Sequence, residues 1–228
     1  TFLRLGGIAA LFHAAAYIVG IILGVTLIFP ILDANPGQYV AFVAENKTLV
    51  DLWNLICYWG SAVTLVVMAL ALYHRLKAGS PALVQIATVF GLIWAALIIG
   101  SANLMLRDSG VIASLYGKDP LQAAAVWPVL EAVENGIVSG NELGGSLWVL
   151  LISIAALRTS SVVRAVNYFG VAVSLAGLLT LVSSLAETTR MIFGLGMIAW
   201  SIWLGIVLLI SSRSASSQPL TLMVEGNS

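Results

Sequence analysis

An all-α, polytopic membrane bundle of about six transmembrane helices is the fold class this sequence predicts, and three observations predict it. Of its 228 residues, 60% are hydrophobic and only 9% charged, whereas a soluble domain carries charge on about a quarter of its residues. The mean hydropathy is +1.03, and ten basic plus ten acidic residues cannot coat a chain of this size with a polar shell, so its apolar surface must face lipid. The apolar residues also come in runs close to the 20 or so that a helix needs to cross about 30 Å of hydrocarbon.

The first run, Leu5 to Phe29, is longer than a signal-peptide core of about 7 to 15 residues and reads as a span. On it Gly6, His13, Tyr17, Gly20 and Gly24 fall on one narrow face, an inward seam at helical spacing. Asn35-Pro36-Gly37 reads as a turn. Val50 to Tyr73 is the second span, with Asn54, Tyr58, Ser61, Leu65 and Met68 on a mildly polar face. Ser80-Pro81 opens the third, Ala82 to Leu106, as N-cap and first-turn proline. Gly110 and Gly117 then mark a loop, and Asp119-Pro120 caps the next helix. Ala165 to Leu185 and Met191 to Ile210 close the set. Residues 1–210 form a single bundle in this reading, and 211–228 a flexible cytoplasmic tail.

The fourth span has two readings. Leu143 to Leu157 is strongly apolar but short. Were residues 128–157 one helix, Gly136, Gly140 and Gly144 would share a face suited to close helix packing, with Glu131, Glu134, Asn135, Asn141 and Glu142 opposite. Alternatively the chain breaks at Ser139-Gly140 and the span starts at Asn141 as N-cap, which leaves Glu131 and Glu134 on an outer interfacial helix.

Orientation follows from the partition of Lys and Arg. With both termini cytoplasmic, Arg4, Arg75, Lys77, Arg158, Arg164 and Arg213 fall inside, against Lys47, Arg107, Lys118 and Arg190 outside. Nine of the ten acids fall at the outer end, with Glu225 the exception. The acids that approach the hydrocarbon cannot look at lipid, since each charge there costs at least a few kcal/mol. Glu142, Glu134, Glu131, Asn141, Arg107, Asn54 and Asp51 are the candidates for ligand binding or a proton relay, with Arg107 and Arg190 as carboxylate partners; the plainer reading of this set is ordinary helix caps and interfacial salt bridges. Glu142, followed directly by apolar sequence, lies closest to the hydrocarbon.

His13 is the intramembrane histidine. Its functional reading is axial ligation of a haem or chlorin, a quinone contact or a proton relay, with Ala9, Ala10 and Ala14 leaving room for a flat ring; its plainer reading is a hydrogen bond to a neighbouring helix. His74 sits about two turns too shallow to complete a bis-His site with it. Trp94, Trp148 and Trp200 read as deeper than the interfacial tryptophans. The single cysteine, Cys57, allows neither a disulfide nor a Cys-based metal site within one chain. There is no HExxH, P-loop, GxSxG or CxxC, and with zero net charge and no basic stripe nothing points to nucleic acid.

Two stretches, LGGIAALFHAAAYIVG in the first span and ELGGSLWVLLISIAALRTSSVVRAVNYFGVAVSLAGLLTLV over the fourth and fifth, resemble a bacterial family of membrane proteins, the domain of unknown function 4386. Gly144, Gly145, Leu147, Trp148, Arg158 and Gly170 carry the resemblance, which covers about a third of the chain; Val162 and Val163 stand where that family often has a proline. The resemblance implies six helices in a bacterial inner membrane and assigns no activity.

The expectations are thus a non-enzymatic subunit or ligand-binding protein of a membrane complex with an acidic outer face, meeting a membrane-protein partner or a second copy through its glycine faces. The alternatives are a small-solute or proton-coupled transporter using Glu142 and Glu134, and a haem, pigment or quinone-binding subunit using His13.

Overall fold

The computed structural model describes residues 2–32, 35–138, 141–159 and 162–216. Six helical segments are long and apolar enough to cross a membrane: Phe2–Ile28, Lys47–Leu76, Pro81–Tyr116, Pro120–Thr159, Arg164–Leu181 and Ala186–Arg213. We label the helices α1 (Phe2–Leu23, continued by a π-helical turn at Gly24–Ile28), α2 (Pro36–Glu45), α3 (Lys47–Leu76), α4 (Pro81–Tyr116), α5 (Pro120–Val138), α6 (Asn141–Thr159), α7 (Arg164–Leu178) and α8 (Ala186–Ser216).

The spanning helices close a ring in chain order. α1 packs on α3, α3 on α4, α4 on α6, α6 on α7, α7 on α8, and α8 back on α1. Lipid gives no hydrophobic push between helices, so close packing must hold this ring, and glycines seated under tryptophans supply it. A Cβ on Gly145 would meet the Trp94 ring at 2.8 Å, and one on Gly170 the Trp200 Nε1 at 2.7 Å. The three indoles form a chain through the core, with centroids 6.1 Å apart from Trp94 to Trp148 and 5.7 Å from Trp148 to Trp200. All three are buried, as their depth in the sequence predicts.

Basic residues gather at the end where the turns are short. Phe2 stacks on His74 at 4.9 Å, and Gly79 packs on Thr159, so α1, the α3–α4 turn and the end of α6 meet there. At the opposite, acidic end the helices outrun any bilayer. The 36 residues of α4 span about 54 Å against about 30 Å of hydrocarbon, more than tilt absorbs. The excess forms a cap, in which α2 and α5 pack on the end of α4 around a second small core of Val40, Val43, Ile112, Ala123 and Trp127.

The cap corrects two expectations and upholds a third. Asn35-Pro36-Gly37 opens the ten-residue helix α2 rather than a turn, because Asn35 Oδ1 accepts the Gln38 N–H at 3.0 Å with Pro36 in the first turn. Gly110 lies inside α4, not in a loop; packing against the cap outweighs the roughly 1 kcal/mol that a helical glycine costs. Asp119 does cap α5, accepting from the Leu121 and Gln122 amides at 3.1 Å. The point that separates the two readings of the fourth span, Ser139-Gly140, lies outside the described residues; the helical stretches on either side are Pro120–Val138 and Asn141–Thr159. Gly136 lies on α5 with open space where a side chain would be, so among the described residues it packs against no other helix, whereas Gly144 abuts Trp94 and Gly20 abuts Cys57. Gly24 is buried, and Gly140 lies outside the described residues. α8 continues to Ser216, past the start expected for the tail; 217–228 lie outside the described residues.

Candidate functional site

The first-span seam faces inward, with Gly6, His13, Gly20 and Gly24 buried. Opposite it, α3 widens into a π-helical segment at Leu55–Gly60. Such segments misalign backbone carbonyls, which must find other donors inside a membrane. Side chains supply them: Ser61 Oγ donates to the Cys57 and Tyr58 carbonyls and Thr64 Oγ1 to Gly60 O at 2.9 Å. His13 donates through Nδ1 to Ser61 O at 3.0 Å, and Trp53 Nε1 donates to Gly20 O at 2.9 Å. His13 thus ties α1 to α3, and its ring lies against Tyr17 and Trp94. Ala9 and Ala10 are buried in the main core, among neighbouring helices.

The widened segment bounds a cavity of about 270 Å³ near the acidic end. Its walls are largely apolar and aromatic, among them Tyr17, Trp53, Tyr58, Trp94, Phe193 and Met197. Charge in its lining comes from Glu142, in the first turn of α6, and Arg190, on α8. They meet with Arg190 Nε donating to Glu142 Oε1 at 3.1 Å. Beside them Asn141 Oδ1 is buried without a donor among the described residues. A carboxylate in the first turn of a helix also suits the positive end of its dipole.

A second cavity of about 250 Å³ lies between bundle and cap and shares Trp53, Tyr58 and Val138 with the first. Glu131 and Glu134 of α5, Asn54 of α3, Ser109 of α4 and Tyr39 of α2 line it. The carboxyl of Asp108 lies in hydrogen-bonding contact with that of Glu134. Burial, followed by the charges of Glu134, Glu131 and Asp108, pushes the Tyr39 phenol well above its ordinary range. Asp51 is drawn to the edge of this cavity, paired with Lys47 and accepting from Ser109 Oγ at 2.7 Å.

The candidates therefore separate. Glu142 and Asn141 line one cavity, Glu131, Glu134 and Asn54 the other, and Asp51 borders the second. Arg107 joins neither. It is exposed and lines an outer groove with Lys118, because the next residue, Asp108, takes the inward position about 100° further round α4. Asp108 is the residue that sequence reasoning passed over. The helical period of buried Ser101, Ala102, Asp108, Ser109 and Ile112 is the signal that marks it.

Fold and lining together define a multi-pass integral membrane protein with a polar site at one end. Comparison of the chain with family models, with curated proteins and with solved structures returned no match.

Proposed function

We propose that this chain is a non-enzymatic ligand-binding protein, acting as a subunit of a membrane complex, and that it holds an amphiphile in the aromatic cavity. The observation that carries this reading is the pairing of an apolar, aromatic lining with polar groups placed together at Asn141, Glu142 and Arg190. Ligand pockets have this composition, with an apolar body and a few polar groups that fix orientation. Asn141 Oδ1, which lacks a donor, suits a headgroup bearing N–H or O–H, and an apolar tail or quinone-like ring suits Trp94 and Phe193. The partition of basic residues and the family resemblance support a bacterial inner membrane with cytoplasmic termini, which reporter fusions at either end test.

Gly194 offers a clean experiment, since it lines the cavity and a Cβ added there meets nothing within 4 Å. Gly194→Leu should fold normally and fill the space. Solvent extracts of gently purified wild-type protein should contain a near-stoichiometric amphiphile that Gly194→Leu loses. An empty wild-type extract, or retention by the variant, overturns the reading.

One observation favours a second reading, a small-solute or proton-coupled transporter using Glu142 and Glu134. The two cavities share Trp53, Tyr58 and Val138 in their linings, and Tyr58 stands on the π-helical segment of α3. Uptake into proteoliposomes that is unchanged in both Glu142→Gln and Glu134→Gln rules this role out.

A further inference from the structure

We propose that the second cavity, between cap and bundle, binds a compact organic ammonium ion, free or as the headgroup of a lipid. Four aromatic side chains line its walls. The rings of Tyr39 and Trp127 lie 4.1 Å apart, and Trp53 and Tyr58 meet edge to face at 5.9 Å; all four line the cavity. Aromatic faces attract cations through their quadrupole, most strongly when water is excluded.

The charge has the matching sign. Glu131 and Glu134 line the cavity and Asp108 touches Glu134, while no Lys or Arg is among the described lining residues. Lys47 is held by Asp51, Arg190 by Glu142, and Arg107 faces outward. The field of the site is therefore unbalanced until protons or a cation neutralise it. A second observation is independent of the acids. Asn54 lines the cavity and is 2% exposed, and among the described residues nothing donates to its Oδ1 or to Oδ2 of Asp108, which is 5% exposed. A buried acceptor without a partner costs about 1–3 kcal/mol, which an N–H of the ligand or the positive charge of a methylated ammonium relieves.

The chemistry favours ammonium over a metal ion. A hard divalent cation wants six or more oxygens, and among the described residues no three His, Cys, Asp or Glu side chains converge closely enough to hold one. A weakly hydrated cation gains more from rings. The cavity, about 250 Å³, has room for a methylated ammonium.

Equilibrium binding of radiolabelled choline to the purified full chain tests this, with methylammonium chloride and sodium chloride as competitors. Wild type should bind choline saturably, methylammonium should compete, and sodium at equal concentration should not. Glu134→Gln and Trp127→Leu should each weaken binding at least about tenfold. Glu131→Gln, at a partly exposed position, should weaken it without loss of fold. Gly194→Leu, which fills only the first cavity, should leave it unchanged and so separates this site from the amphiphile. In nanodiscs, lower choline affinity with phosphatidylethanolamine than with phosphatidylglycerol identifies the lipid headgroup as the source, and equal affinity a free ammonium. Absence of saturable binding, equal binding in Glu134→Gln and Glu131→Gln, or equal competition by sodium overturns the proposal.

Discussion

The membrane bundle and the cap are two cores built from one chain under different solvents. In the bundle, lipid is as apolar as leucine, so burial gives little and the ring of helices depends on indoles seated on Gly91, Gly145 and Gly170. In the cap, α2, α5 and the end of α4 bury a cluster centred on Trp127, and removal of apolar surface from water holds it. The polar site lies where these regions meet. Only there can carboxyls such as Glu134 be enclosed by protein and still exchange with water, since deeper they would face the cost of charge in hydrocarbon.

The comparison predicts opposite responses to the same substitution. Gly145→Leu should cost about 3 kcal/mol, because a Cβ there meets the Trp94 ring at 2.8 Å and the six-helix ring has no slack. Gly136→Leu on α5, which points into open space, should lie within about 0.5 kcal/mol of wild type. Thermal unfolding in one detergent measures both; a Gly145→Leu protein that melts like wild type would show that the indole seats do not hold the bundle.

Trp127→Ala should cost about 2 kcal/mol, less than a fully enclosed tryptophan, because water can fill the gap at the cap surface. The loss should be local. Hydrogen exchange should rise in α2 and α5 while the buried parts of α3 and α8 stay protected, as separate cooperative units behave. Equal acceleration everywhere would mean that cap and bundle unfold together.

The same contrast decides what was legible in the sequence. Six spans were readable because lipid-facing helices need continuous apolar runs, and the fourth kept two readings because Ser139-Gly140 interrupts the pattern. The cap was not readable. α2 has ten residues, too few to show a period, and Gly110 looked like a breaker although packing keeps it helical. At the site, Glu142 and its partner Arg190 were legible from charge at helix ends. Asp108 was not, because Arg107 beside it drew the same argument and only the continued period of α4 tells the inward residue from the outward one.

The ion pair that joins α6 to α8 tests whether the site serves stability or binding. The Arg190 side chain is 51% exposed and that of Glu142 14%, so solvent screening leaves the pair less than about 1 kcal/mol. Arg190→Gln should therefore melt within that margin of wild type while retaining several-fold less amphiphile. A large fall in melting temperature with retention unchanged would make the pair a brace of the bundle instead.

The smallest effect concerns how closed the cap is. Burial, and after it the charges of Glu134, Glu131 and Asp108, raise the Tyr39 phenol above the ordinary value of about 10. The sign follows from the proton: the unfolded chain ionises first, so this contribution is complete below about pH 10 and is lost as the pH climbs from there toward the folded value. Ultraviolet titration of wild type minus Tyr39→Phe isolates this residue among the six tyrosines. The difference trace should show no tyrosinate at about pH 11. Adding Glu134→Gln should bring ionisation to lower pH without restoring the ordinary value, because burial is the larger cause. A difference trace centred near pH 10 in wild type would mean that water reaches Tyr39 and that the cap does not close over its cavity in solution.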